Sequence, residues 1–359
     1  MQQAIPFSRE NLKELFSKKF FFVIMISIPI AIFADYLNIP LAWMIGPMIA
    51  VSIAALNGLK IHMPRLALSS ILIILGLHIG NYIDQNLLNQ MVDWIWTTII
   101  MFGYIVVSIV IVSKYLQKFS GYKEKTSIFS AAPGALGPLM ILAEYEKSDL
   151  SQVATAHLIR LIIIITVFPF IIVNLSATDS LEVEKFDYIS QNHWNLVLLI
   201  ISSVIFIFFF DKAKVPAALL SGTLVASGIL QIFDIASYKL PDSSINFCLL
   251  ILGASVGCRF ANKTVKEVAN NSFHGLVATL LLVLLGLVAA FIATFFVDNN
   301  FLTLILSFCP GGIYEVAVIA IAFDLEPDFV AFHHIIRLLF ILFVIPIILK
   351  LIEKSKIKN

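Results

Sequence analysis

The chain has 359 residues, 60% of them hydrophobic and 13% charged, with a formal net charge of +1. A soluble domain carries about 45–50% apolar and about 25% charged residues, so this composition excludes an ordinary water-soluble fold. The near-zero charge, with no basic cluster interleaved with aromatics, excludes a nucleic-acid-binding surface.

The N-terminus is basic (Arg9, Lys13, Lys18, Lys19) and leads into an apolar run over 20–34. No small-x-small cleavage site follows it and another apolar segment comes at once, so a retained first helix is expected rather than a signal peptide. A bilayer core takes about 20 apolar residues per helix. Twelve segments approach that measure: 19–35, 40–58, 64–81, 92–113, 124–144, 151–176, 194–210, 215–232, 242–258, 272–297, 300–322 and 328–351. The connections are short. The longest polar stretch, 177–193, is too small to fold as a separate domain. Cys248, Cys258 and Cys309 lie in or beside apolar runs and read as small buried hydrophobes, not a disulfide frame. No spacing suggests zinc, and no cofactor is expected.

The segments repeat. Pro133-Gly134 returns as Pro310-Gly311, an offset of 177. At that offset Ala143 matches Ala320, Val153 matches Val330, His157 matches His334, Arg160 matches Arg337 and Pro169 matches Pro346. Upstream, Pro64 matches Pro241, Gly76 matches Gly253 and Gly80 matches Gly257; further up the offset is 176, pairing Pro40 with Pro216 and Gly46 with Gly222. Leu and Ile matches come cheaply in an apolar chain, whereas Pro, His and Arg matches in register do not. The expected domains are therefore two membrane repeats, 1–185 and 186–359.

Basic residues mark cytoplasmic loops. In the first half they sit at the N-terminus, at Lys60 and Arg65, and at Lys114, Lys118, Lys123 and Lys125. In the second half the pattern flips: Lys212 and Lys214, then Arg259, Lys263 and Lys266, fall where the first half had none, and the connection 297–300 has none where its counterpart had four. Lys239 is the exception. A flip requires an odd number of crossings per half, so one of six segments in each half does not fully cross. The segments 124–144 and 300–322 carry Pro-Gly in mid-run. Proline removes a helix hydrogen bond and glycine lets the backbone turn, so each is expected to be re-entrant or broken. The fold class is then all-α and polytopic, with about ten transmembrane helices in a 5+5 inverted repeat, the plan of secondary transporters. The alternative is that Pro133 and Pro310 only kink full spans, giving twelve crossings and parallel halves; it leaves the charge flip unexplained.

Three groups carry candidate chemistry. Pro133 and Gly134, with Pro310, Gly311 and Gly312, form the breaks, where a restarting helix offers free N–H groups to an anion or freed carbonyls to a cation. His157 with Arg160, and His334 with Arg337, are spaced i, i+3 and share a helix face. Each arginine lies about nine residues into its segment, about 13 Å deep, where an unpaired charge is costly. Glu315, just beyond the second break, is a candidate partner for Arg337 or a proton carrier; Pro138 stands at the matching position of the first repeat. For the arginines the other reading is a salt bridge or carbonyl contact that fixes the fold. His333 beside His334 suggests a metal only weakly, because neighbours on a helix point about 100° apart. Gly76 to Gly80 and Gly253 to Gly257 are spaced for close helix packing, and His78 is read as hydrogen-bonded in the interior.

The stretches Pro133-Gly134-Ala135-Leu136-Gly137 through His157-Leu158-Ile159-Arg160, and Pro310-Gly311-Gly312-Ile313-Tyr314-Glu315 through His333-His334-Ile335-Ile336-Arg337, resemble the AbrB membrane protein family in its duplicated form. The resemblance covers nearly the whole chain. It implies a bacterial inner-membrane protein related to transporters built from inverted five-helix repeats, and it carries over no proven site. Members are labelled ammonia monooxygenases or regulators of gene expression. Oxygen chemistry needs a metal or redox cofactor, for which the sequence has no ligand cluster, so no enzyme is expected. The expected function is secondary transport of a small organic anion or ion by alternating access, with both termini cytoplasmic. The alternative is a membrane regulator that does not transport. Expected partners are the lipid bilayer and a small-molecule or ionic substrate, with homo-oligomerisation open.

Overall fold

The computed structural model describes residues 9–83, 87–134, 136–176, 193–215, 217–236, 238, 240–261 and 263–358. Among them all regular structure is helical: α1 (Arg9–Leu15), α2 (Lys18–Tyr36), α3 (Ala42–Leu56), α4 (Arg65–Gly80), α5 (Leu87–Ser120), α6 (Glu124–Ala131), α7 (Leu136–Tyr145), α8 (Leu150–Ser176), α9 (His193–Lys212), α10 (Ala218–Ile232), α11 (Asp242–Cys258), α12 (Val265–Ala293), α13 (Phe301–Phe308), α14 (Ile313–Ala322) and α15 (Pro327–Lys358). Six helices, α2, α5, α8, α9, α12 and α15, are long and apolar enough to cross a membrane. Their outer faces carry large apolar side chains in the open, such as Phe21 and Phe33 on α2 and Phe208 and Phe209 on α9. Such a surface suits lipid rather than water. The connection 177–192, Lys239, Pro216 and Ala135 lie outside the described residues.

Several boundaries differ from the hydropathy reading. The segment expected at 92–113 runs from Leu87 to Ser120, through Lys114 and Lys118. Lysines at the end of an apolar helix lay their stems along it and keep the ammonium at the rim, so a charge there does not end the helix. Likewise α12 begins at Val265, ahead of the apolar run that starts near 272.

Local backbone geometry recurs down the chain. The residues that open α3 and α10, Leu41 and Ala217, are both left-handed, with φ of 52° and 55°. Asn38 and Lys214, Gly58 and Asp234, and Lys147 and Asp324 also pair as positive-φ residues at offsets of 176 or 177. A non-glycine residue in this region is uncommon, so the coincidences mark one backbone solution used twice. Pro64 and Pro241 cap α4 and α11 with extended dihedrals, as proline at a helix start allows.

The chain divides into two compact units that do not coincide with the sequence halves. The first comprises Met1–Leu88, Ile165–Lys263 and Ala317–Asp328; the second comprises Asn89–Ile164, Thr264–Val316 and Phe329–Asn359. Each unit draws on both halves. In the first unit α3 lies against α11 and α4 against α10, with glycines at the crossings. A Cβ on Gly253 would stand 2.1 Å from the Met44 carbonyl oxygen, and one on Gly76 2.7 Å from that of Leu220. Met44 and Leu220 are repeat mates, as are the two glycines. Helices that touch this closely admit no side chain at the contact. His78 hydrogen-bonds Ser244 at 3.0 Å in this interior.

Candidate functional site: two interrupted helices held by buried arginines

The site lies within the second unit. Its two central segments are interrupted, not bent. α6 ends at Ala131, Ala132 turns out with φ −59° and ψ 126°, and α7 begins at Leu136 beyond Pro133 and Gly134. α13 ends at Phe308, Cys309 turns out with φ −58° and ψ 131°, and α14 begins at Ile313 beyond Pro310, Gly311 and Gly312. Gly134 has φ +91°, a value that L side chains rarely adopt.

Ending a helix in a buried place leaves its last carbonyls without N–H donors. Here α8 and α15 supply them. Arg160 donates through Nη1 to the Ala132 carbonyl and through Nη2 to that of Ser130, each at 2.6 Å. His157, one turn before it, hydrogen-bonds the Phe129 carbonyl through Nε2 at 3.0 Å. On α15, Arg337 donates through Nη1 to the Cys309 carbonyl and through Nη2 to that of Gly311, the latter at 2.6 Å. His334 hydrogen-bonds the Leu306 carbonyl at 3.0 Å. Phe129 and Leu306, and Ala132 and Cys309, are repeat mates. The i, i+3 His/Arg pair is thus a clamp on the closing turn of a half-helix, with the guanidinium at its electronegative end.

Both arginines are 2% exposed, and each keeps a buried Nε–H with no partner. Their partners are carbonyls and, for Arg337, His334 Nδ1 at 2.9 Å. The breaks adjoin each other: a Cβ on Gly134 would lie 2.9 Å from Arg337 Nη2 and 3.1 Å from the Gly311 carbonyl oxygen. Arg160 bonds the carbonyl of Ala132, two residues before Gly134, so the two guanidiniums stand at adjoining turns of the chain.

The arginines meet the closing carbonyls of the leading half-helices, the carbonyl contact that was one of their two readings. Backbone carbonyls, which no sequence pattern displays, take the guanidinium donors there. Among the described residues no ion pair joins Glu315 to Arg337. It is buried in the first turn of α14, and its carboxylate folds over Gly312, where a Cβ would stand 2.0 Å from Oε2. A glutamate in a first helical turn faces the positive end of that helix. Gly312 is therefore needed for its small size. Pro138 occupies the matching turn of α7, where a missing N–H is tolerated.

Residues on α5 complete the site without having been singled out. The Tyr104 hydroxyl donates to the Leu282 carbonyl at 3.3 Å, and its ring meets Phe308 edge-on with centroids 6.2 Å apart. Thr97 hydrogen-bonds His333 at 2.8 Å, and Trp94 packs beside it. Single Tyr, Thr and Trp residues in an apolar helix carry no signal; the one available hint was the extra histidine at position 333, where the first repeat has Ala156. Among the described residues no three of His, Cys, Asp and Glu gather to hold a metal. Polar contacts tie the outer ends of α6 and α7: Lys125 pairs with Glu146 at 2.6 Å, and Thr126 accepts from the Asp149 N–H at 3.1 Å. Before α6, burial and the nearby Asp149 push the Tyr122 phenol up to about 12, so it stays neutral.

The family described as "Transition state regulatory protein AbrB" matches residues 43–353. The chain is similar to "Putative regulator AbrB" of Escherichia coli (strain K12), 23% identical over 319 residues that cover 88% of this chain and 91% of that protein. It is also similar to "Uncharacterized protein YhjN" of Bacillus subtilis (strain 168), 21% identical over 342 residues that cover 86% of each. With the family match running through both clamps and nearly the full length, the chain belongs to the AbrB family.

Proposed function

We propose that this protein is a secondary transporter of a small organic anion or ion in the bacterial inner membrane, working by alternating access. The observation that carries the reading is the pair of buried arginines: two neighbouring guanidiniums, bonded to carbonyls and to a histidine rather than to carboxylates, each with an idle Nε–H. Buried positive charge without a bonded carboxylate favours an anionic visitor. Interrupted helices at membrane depth belong where protein or a water-filled cavity covers them. In this reading α3, α4, α10 and α11, of 15 to 17 residues, cross together with the six longer helices to give ten spans. α6–α7 and α13–α14 are the re-entrant pairs. The charge flip between the halves supports an inverted repeat with both termini cytoplasmic. The protein is then not an enzyme.

The test is counterflow in proteoliposomes with labelled inorganic anions and mono-, di- and tricarboxylates, comparing the wild-type chain with Arg337→Gln and Arg160→Gln. At least one anion should exchange in the wild type and fail in both variants while they remain folded by circular dichroism. Wild-type exchange in Arg337→Gln, or no exchange of any anion by the wild type, contradicts the reading. The names of the family and of the Escherichia coli relative favour a second reading, a membrane regulator without transport. It requires a soluble partner on the cytoplasmic connections, which an affinity pull-down from the native membrane would recover.

A further inference from the structure

His333 and His334 adjoin each other on α15 and are both fully buried, yet their hydrogen bonds define different protonation behaviour. His334 Nε2 faces the Leu306 carbonyl, which only accepts, so Nε2 carries a proton. Its Nδ1 faces Arg337 Nη2 at 2.9 Å, which only donates, so Nδ1 must be bare. His334 is locked as the neutral Nε2–H tautomer, because a second proton would point at the guanidinium.

His333 differs. Its Nδ1 lies 2.9 Å from the Phe329 carbonyl and so carries a proton. Its Nε2 lies 2.8 Å from Thr97 Oγ1, and that oxygen also lies 2.8 Å from the Trp94 carbonyl. The hydroxyl has one proton and two acceptors. With a neutral ring, Thr97 donates to Nε2. With a protonated ring, Nε2–H donates to Thr97 Oγ1, and the hydroxyl turns to donate to Trp94. Both states are fully hydrogen-bonded, and the change needs one hydroxyl rotation. Resting on the transport reading above, we infer that His333 is the site that takes up and releases the coupling proton, with Thr97 as its positioning residue. One proton adds to Nε2, no covalent bond between heavy atoms changes, and no electron moves.

The surroundings fit this role. Burial opposes charge at this position, and the ring face of Phe329, 4.1 Å away between centroids, offsets part of that cost. Trp94 from α5, Phe308 from α13 and Phe332 from α15 complete the wall. Among the described residues the titratable and charged groups nearest it are His334 and, beyond that, Arg337 on α15, with Cys309 and Tyr104 behind the Phe308 ring. The first repeat has Ala156 at this position, so the device occurs once. It also assigns the proton to a group other than Glu315, whose carboxylate is turned onto Gly312.

The test is a pH titration of the full-length chain, labelled with nitrogen-15 histidine, in detergent micelles. His333→Gln and His334→Gln assign two of the seven histidine signals. On acidification the ring-nitrogen shifts of His333 should move from neutral to doubly protonated, while His334 keeps its Nε2–H tautomer throughout. In Thr97→Val the His333 midpoint should fall by about one to two pH units, the value of one charge-assisted hydrogen bond, and Thr97→Ser should restore it. A His333 ring that stays neutral down to the pH at which the fold is lost, a His334 that takes the proton instead, or an unmoved midpoint in Thr97→Val overturns the inference. No substrate enters this measurement, so its failure leaves the counterflow result standing, and a counterflow failure leaves the titration interpretable.

Discussion

At the first break Arg160 bonds Ala132 and Ser130, both at the closing turn of α6. At the second break Arg337 bonds Cys309 and then reaches past Pro310 to Gly311. The first arginine therefore finishes a helix, while the second also fixes the path of the chain after the helix. Further differences cluster on the same side. The second break has Glu315 in its restarting turn where the first has Pro138, and His333 on its clamp helix where the first has Ala156. Both breaks carry a His/Arg clamp, and the further polar groups lie at the second. The first break supplies something different: its Gly134 is the small residue that lets the second clamp approach.

That contrast ranks the expected effects of substitution. Arg337→Gln should be the most damaging, because it orphans two buried carbonyls and His334 Nδ1; at about 1–3 kcal/mol per orphaned group, the three together cost about 3–9 kcal/mol. Arg160→Gln orphans two carbonyls within one turn and should cost less. Thermal unfolding of both in detergent checks the order, and an equal or reversed order would remove the distinction between the clamps. Gly134→Ala should cost about 1–3 kcal/mol, from the positive φ and from crowding Arg337. Because that substitution already disturbs the second clamp, combining it with Arg337→Gln should cost less than the sum of the two. Strict additivity in the double variant would mean that the breaks do not support each other.

Smaller effects sharpen the picture. Glu315→Ala should cost about 0.3–1 kcal/mol, the value of a carboxylate at a helix start. A much larger loss would mean that the charge at the helix start is not its main contribution. Ser130→Ala should change stability by under about 0.5 kcal/mol, because Arg160 uses the backbone carbonyl and the Ser130 hydroxyl has no partner.

Much of the fold could be read from the chain because bilayer-length apolar runs are blunt signals, and because Pro, Gly, His and Arg landmarks recur in register. The interruption of α6–α7 and α13–α14 was legible in Pro133-Gly134 and Pro310-Gly311, since that dipeptide has few uses inside a helix. The clamp partners were not legible. A buried arginine announces that it needs acceptors, and a carbonyl contact was one reading of it, but backbone carbonyls look the same at every position, so which ones it meets is not written in the chain. Thr97, Trp94 and Tyr104 were equally silent, because their meaning comes from what α15 and α13 bring against α5. Lys114 and Lys118 misled the boundary of α5, because a charge at a membrane rim resembles a helix end in sequence.

The proposal that two copies of one unit lie in the bilayer in opposite orientations is tested most directly at the connections that follow α5 and α12. Ser120→Cys and Asp298→Cys, placed singly in a chain whose three native cysteines are replaced, would be labelled in sealed, oriented vesicles with a membrane-impermeant maleimide. Opposed copies require Ser120→Cys to react from the cytoplasmic side and Asp298→Cys from the other side. Reaction of both from the same side would mean parallel halves, and the alternating-access account would fail with it.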